Sequence, residues 1–350
     1  MYITEKYLKL GQEFHPTNAM WEVTSRCNAQ CEYCYLHDSK NTSEDFNTNQ
    51  MFEIIDKLFE SGVLFITLTG GEPFMRKDIL SILEYLIKKD FFSISLFSNG
   101  TLINANHLRF LAAYSNYIRN IQFSVFSHDP KINDAYFGIT GALENTLCIG
   151  KQLISKGIPV TLALNLFNFN VKEFKNTKRI FTEMGFSVRT SFNKLCLDTE
   201  QEERINNELT KDFYTVYLDG FSRSDINKMQ SRLKEKTEAI QRNGYFCYGL
   251  FTNIAIDFMG NILPCIAFRK LFLGSVFELR SISDILASSQ SLKELRSLRK
   301  KDITNCTHCS LINECTFCLG MMHTRNNNFK KPLSQYCTYL KTLEKYSCSV

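Results

Sequence analysis

The chemistry of this chain is concentrated in its thirteen cysteines. Three share one short run, Cys27-Asn-Ala-Gln-Cys31-Glu-Tyr-Cys34. A closed zinc site takes four protein ligands, and here the nearest fourth candidate is His37. Three thiolates on a 4Fe–4S cluster would instead leave one iron without a protein ligand, free to bind a small molecule. A second motif, Thr69-Gly70-Gly71-Glu72-Pro73, ends a β-rich run. Its glycines let backbone approach a ligand closely. Glu72 offers an acceptor for a cationic amine, and Pro73 stiffens the turn. A third set lies beyond Phe246: Cys247, Gly260 in a turn, Cys265, then Cys306-x2-Cys309-x5-Cys315-x2-Cys318 and Cys337. Pairs spaced C-x2-C serve zinc as readily as iron–sulfur clusters.

These groups need a scaffold, and the hydrophobic pattern supplies one. Short β-rich runs cover Ala19–Ser25, Val63–Thr69, Phe92–Ser98, Asn120–Ser127, Pro159–Leu166 and Phe186–Asn193. Helical periods fall between them at Thr48–Glu60, Ile79–Lys89, Ala142–Lys156 and Val171–Met184, the first with Met51, Ile54, Ile55, Leu58 and Phe59 on one face. Alternating β and α units imply a parallel sheet, because each parallel return needs a crossover. Six units are too few for a closed eight-stranded barrel. The expectation is an α/β chain with a partial (β/α)6 barrel, and Gly70–Pro73 at the C-terminal end of its second strand, where such folds place ligands. The chain divides into an N-terminal segment (1–18), the barrel (19–198), a charged helical bridge (199–242) and a small metal-stapled domain (243–350).

Composition narrows the function classes. In 350 residues, 29 Phe and 15 Tyr exclude a mainly disordered chain. A net charge of +5, spread along the chain, makes no nucleic-acid stripe. No apolar run is long enough to span a membrane. The N-terminus lacks a signal core, so a reducing cytoplasm and metal-bound cysteines are expected, not disulfides. Cys148, in an apolar helical pattern, reads as a core residue, as does Trp21; Cys196 and Cys348 stand in polar context, and His308 in a loop.

The spacing Cys27–Cys31–Cys34 resembles that of the radical S-adenosylmethionine (SAM) superfamily, and Gly70-Gly71-Glu72-Pro73 resembles the motif that holds the SAM amino group there. The resemblance implies that the free iron chelates the amino and carboxylate groups of SAM, and that one electron then yields a 5′-deoxyadenosyl radical. It places Tyr33 beside the adenine. Ser98-Asn99-Gly100 matches a turn facing the cofactor, and Ser124 matches a residue that bonds the SAM ribose or carboxylate. The stretch from His128 to Ala142 is similar to the family's next loop and helix. The C-terminal set resembles the SPASM extension, which binds two auxiliary iron–sulfur clusters. Carried over, Cys306, Cys309, Cys315 and Cys337 fit the distal cluster, and Cys247, Cys265 and Cys318 the proximal one. Two features depart from the family: Cys315 and Cys318 are separated by two residues where three are usual, and no further cysteine lies near Cys247. A non-cysteine group or Cys348 would complete that site, or it would be open to a substrate thiolate.

The resemblance implies a maturase acting on a ribosomally made precursor peptide, with a flavodoxin or ferredoxin as electron donor. The auxiliary clusters would accept an electron when the product is a crosslink, thioether or C–C. Sulfatase maturation is disfavoured, because Ile266 replaces the acidic residue that follows the matching cysteine in that group. Only about 20 residues precede the first strand, whereas a minimal recognition fold needs about 40. A separate peptide-recognition protein, or direct binding of a short substrate, is therefore expected. Alternatives are a SPASM enzyme acting on a porphyrin precursor or sugar, a peptide epimerase with Cys196 or Cys348 as hydrogen donor, and a non-catalytic electron-transfer module. Gly70–Pro73 argues against the last, since an electron carrier needs no amine-binding loop.

Overall fold

The structure is a computed structural model. It describes residues 13–32, 34–36, 39–41, 44–192, 208–242, 247–299, 302–303, 306–312, 314–315, 318–326, 329 and 332–348. Tyr33, His37 and Cys196 lie outside them.

Six parallel strands follow the expected order: β1 (Asn18–Glu22), β2 (Phe65–Thr69), β3 (Ser93–Ser98), β4 (Ile118–Val125), β5 (Val160–Asn165) and β6 (Ser187–Ser191). Between them run α1 (Thr48–Glu60), α2 (Ile79–Lys88), α3 (Ala105–Ala113), α4 (Pro130–Phe137), α5 (Ala142–Ser155) and α6 (Phe174–Glu183). Helix α1 begins at Asn47, whose side chain accepts from the Gln50 amide while Gln50 returns the bond, a reciprocal cap. It buries Met51, Ile54, Ile55 and Leu58; Phe59, expected on the same face, is 45% exposed. Helix α4 has Asp129 as its cap, Pro130 in its first turn and Gly138 at φ 67° as its stop.

Helix α5 corrects one expectation. It buries Leu143, Thr146, Ile149, Gly150 and Leu153, and Cys148 is exposed. The apolar run is continuous enough to suggest burial all round, but the helical period turns position 148 away from the sheet.

Much of the sheet alternates buried and part-exposed positions, β4 most regularly, which is unusual for parallel strands covered on both faces. Trp21, Leu68, Ile94, Leu96, Ile121, Phe123, Leu162 and Leu164 are buried. Their neighbours Met20, Phe97, Gln122, Ser124, Asn165, Arg189 and Ser191 line one cavity on the other face. All six strands contribute to that cavity, so the sheet curves around it as an open barrel.

The C-terminal half extends the same sheet. After α7 (Lys211–Asp219), α8 (Arg223–Arg242) and α9 (Gly249–Thr252), strand β7 (Asn253–Ile256) pairs parallel with β1. Strands β8 (Asn261–Leu263) and β9 (Gly274–Ser275) continue antiparallel, giving the order β6-β5-β4-β3-β2-β1-β7-β8-β9. The six-stranded sheet read from the sequence is therefore nine-stranded among the described residues. Helices α10 (Ile282–Ser288), α11 (Gln290–Ser297), α12 (Leu319–Asn326) and α13 (Ser334–Cys348) complete the chain. The bridge is more than a charged linker: α7 buries Phe213, Tyr214, Tyr217 and Leu218, and the Tyr214 ring lies 5.3 Å from that of Tyr339 on α13. Among the described residues, no helix is long and apolar enough to cross a membrane.

Two contacts, one part-buried and one buried, hold the C-terminal half against the barrel. Lys57 on α1 donates to the carbonyls of Val276 at 2.7 Å and Glu278 at 2.6 Å. Arg269 pairs with Glu22 of β1 at 2.6 Å, with side chains 6% and 0% exposed, and its guanidinium lies 5.1 Å from the Tyr35 ring centroid. Removing one partner of a buried pair strands the other charge, at a cost of about 3–5 kcal/mol. Arg269→Ala is therefore expected to lower the melting temperature by roughly 5–10 °C. The double variant Glu22→Gln, Arg269→Met should recover most of that loss, because no charge remains buried without a partner.

Candidate active site

The cysteine loop leaves β1 alongside the loop that leaves β2, and the two backbones continue the ladder beyond the strands. Val23 N donates to Thr69 O at 3.0 Å, Gly71 N to Thr24 O at 2.9 Å, and Glu72 N to Arg26 O at 2.8 Å. A Cβ on Gly70 would strike Thr24 O, and one on Gly71 would strike Arg26 O. Gly70 also sits at φ 119°, a region open to glycine. The two glycines thus admit the cysteine loop itself.

Glu72 faces inward. It is fully buried, and its carboxylate accepts from Ser98 Oγ at 2.8 Å, Asn99 N at 2.7 Å and Phe74 N at 3.1 Å. The acceptor expected to meet an amine instead joins the second and third strand-end loops, while Gly70 and Gly71 line the cavity. Burial raises the Glu72 carboxyl to about 7, against the three donors that lower it. Pro73 is buried and opens a short 3-10 turn with Glu72 as its cap. Asn99 reaches the cysteine loop, donating from Nδ2 to Asn28 Oδ1 at 2.9 Å.

Further contacts that the motifs did not reveal steady the cysteine loop. Arg76, 3% exposed, donates to Val23 O at 3.1 Å and Phe46 O at 2.8 Å and pairs with Asp78 at 2.8 Å. Asp45 accepts from Thr24 Oγ1 and from Arg26 Nε at 2.8 Å. Gln30 N donates to Phe137 O at 2.8 Å, and Lys40 Nζ to Ala29 O. Arg76 and Asp45 carry no spacing signal, since their partners are backbone carbonyls and loop residues fixed only by the fold.

Cys27, Cys31 and Cys34 are free thiols that line a cavity of about 510 Å3. Burial pushes the Cys27 thiol up to about 11 and Cys31 to about 12. Ser98, Asn99 and Ser124 line the same cavity, together with Phe126, Tyr136 and Phe137. From the C-terminal half comes Ile266, the residue after Cys265. Gln122, Asn165, Arg189 and Ser191 were not singled out from the sequence. Their signal was present: polar residues at every second position of parallel strands, where two covered faces would call for continuous apolar runs.

Seven of the remaining cysteines form two groups. Cys265 has the thiols of Cys318 and Cys247 as electrostatic neighbours, and burial raises its pKa. Cys306, Cys309, Cys315 and Cys337 together line a second cavity of about 410 Å3. Tyr336 adjoins both groups, near Cys318 and Cys315. Cys348 ends α13.

Comparison with known proteins adds the family. Residues 21–181 match the Radical SAM superfamily, and residues 247–310 match SPASM, an iron–sulfur cluster-binding domain. The chain is a radical SAM enzyme with a SPASM domain. It is 28% identical over 269 residues to the antilisterial bacteriocin subtilosin biosynthesis protein AlbA of Bacillus subtilis, covering 75% of this chain and 58% of AlbA. It is 23% identical over 350 residues to an AdoMet-dependent heme synthase of Oleidesulfovibrio alaskensis, covering 91% and 86%. Among solved structures, anSMEcpe with bound AdoMet superposes with a TM-score of 0.75 at 17% identity, over 95% of this chain and 97% of that one.

The donor set fits the cofactors of this family: an all-thiol triad on the barrel cavity, a second triad, and a set of four. Cys27, Cys31 and Cys34 would hold the cluster that, once loaded, supplies the electron for SAM cleavage. The chain's own part is to fix three thiols on a braced loop and to keep a polar wall opposite them.

Two outcomes follow. Gly71→Ala should detach Glu72 N from Arg26 O and cost the first cluster, about four irons per chain, read by iron assay after anaerobic reconstitution. Between the unfolded carboxyl value near 4.5 and the folded value of about 7, the folded chain holds a proton that the unfolded chain has released. Raising the pH through that window therefore removes up to about 3 kcal/mol of stability. Glu72→Gln should lack that component, so melting temperatures from pH 5 to 8 should fall less steeply in the variant than in the parent.

Proposed function

We propose that this radical SAM/SPASM enzyme is a peptide maturase, abstracting hydrogen from a ribosomally made peptide to form a thioether or C–C crosslink. The observation that carries the reading is the position of Ile266. It adjoins Cys265 and lines the cavity of Cys27, Cys31 and Cys34, which sets the Cys247–Cys265–Cys318 group beside the space where substrate would react. A crosslink removes two hydrogens: one leaves as an atom with the deoxyadenosyl radical, and the other as a proton and an electron. An electron acceptor one residue from the cavity wall suits that second loss. The similarity to AlbA, a bacteriocin biosynthesis protein, supports the peptide class. The similarity to a heme synthase favours a second reading, a porphyrin precursor as substrate.

The test is anaerobic co-expression in heavy water with any short peptide found encoded beside the gene, followed by mass spectrometry. Loss of two hydrogens supports the crosslink. One deuterium gained with connectivity unchanged points to epimerisation instead. An unmodified peptide, with 5′-deoxyadenosine still produced on adding SAM and reductant, overturns the peptide reading and moves the search to porphyrin precursors.

A further inference from the structure

Among the described residues, the cavity wall carries one cation that no other side chain engages. Arg189 sits at the centre of β6, in register with Ala163 of β5, which is in register with Ser124 of β4. All three side chains line the cavity, and one level further along β5 and β6 so do Asn165 and Ser191, also in register. Arg189 is exposed to the cavity solvent, and among the described residues no hydrogen bond or ion pair engages its guanidinium. No acidic side chain is among the cavity's lining residues; the nearest motif carboxylate, Glu72, is buried and turned to Ser98 and Asn99. Ala163 is small, so little side chain fills the space between Arg189 and Ser124, whose strands are about 10 Å apart.

Position then separates the two carboxylates that could enter. The resemblance assigns the methionyl carboxylate of SAM to the iron above the cysteine loop, which leaves β1, with Ser124 of β4 matched to the SAM ribose or carboxylate; Arg189 lies two strands beyond Ser124. Arg189 stands on β6, at the other end of the six-strand arc. A guanidinium matches a carboxylate with two parallel hydrogen bonds and selects it by shape as well as charge.

We propose that Arg189 is a substrate-recognition residue that binds a carboxylate of the substrate, an aspartate or glutamate side chain of the peptide presented near the reacting residue. The proposal rests on the peptide reading above. It makes this enzyme selective for peptides with an acidic residue next to the modified one, with Asn165 and Ser191 as neutral hydrogen-bonding partners beside the guanidinium.

The experiment is residue-level labelling of the reconstituted enzyme with phenylglyoxal, read by mass spectrometry at Arg189. Free enzyme and enzyme with SAM should label alike. The peptide identified by co-expression should protect Arg189 several-fold, and replacing one of its acidic residues by the amide should abolish protection. Arg189→Gln should raise KM for the peptide about tenfold or more and KM for SAM less than twofold. Arg189→Glu should be rescued by a peptide carrying Lys at the acidic position. Protection by SAM but not by decarboxylated SAM would overturn the proposal, because the carboxylate bound is then the cofactor's. Unchanged labelling with the peptide also overturns it. If no peptide is modified, glutarate serves as probe. Protection by glutarate, but not by its diamide, keeps Arg189 as a carboxylate reader while the peptide reading alone fails.

Discussion

The site depends on two backbones running closer than side chains would allow. Residues 23–26 and 69–72 bond to each other beyond the ends of β1 and β2, at 2.8–3.0 Å, and only glycine at 70 and 71 admits that approach. The approach aims the three cysteines into the cavity. It also carries Glu72 beneath the surface, where its carboxylate meets the next strand-end loop. Three consecutive strand ends are thereby joined, and Asn99 closes the circuit back to Asn28. A motif that reads as a ligand-binding turn is at the same time the brace of its neighbour.

The curved sheet inverts the usual economy of a barrel, whose interior is filled by side chains. Here the buried positions of the strands face the covering helices, and the alternate positions are left to line open space. A partial barrel can afford this arrangement because its outer face alone collects Trp21, Leu68, Leu96, Phe123 and Leu162 into one continuous core with the helices. The inner face is thereby released from packing and holds groups such as Gln122, Asn165 and Arg189, which would be costly in a closed core.

The auxiliary half is part of the same sheet. β7 adds to β1 in parallel register, so the strand that launches the cysteine loop is flanked by the barrel on one side and the SPASM strands on the other. The Glu22–Arg269 pair lies just before that loop and just after Cys265. Removing it from water is costly, and in some systems such a pair fixes geometry without adding stability. In this chain the geometry concerned is the placement of Ile266 on the cavity wall.

The chain's own order determined a great deal. Cysteine spacing, the paired glycines and six alternating β/α periods are local, so the fold class and the six parallel strands were legible before any coordinates. Strand ends differed by at most three residues, as terminal pairing depends on neighbours. Other features were not legible. Cys148 read as buried because its neighbours are apolar, and the helical turn exposes it. Glu72 read as a ligand group, and its donors lie 26 and 27 residues away. Arg269 reaches Glu22 across 247 residues, and β7 joins β1 across a comparable gap. The sequence by itself determined which atoms could do chemistry; only the tertiary structure decided which of them meet, because burial and pairing are set by contacts that no local pattern encodes.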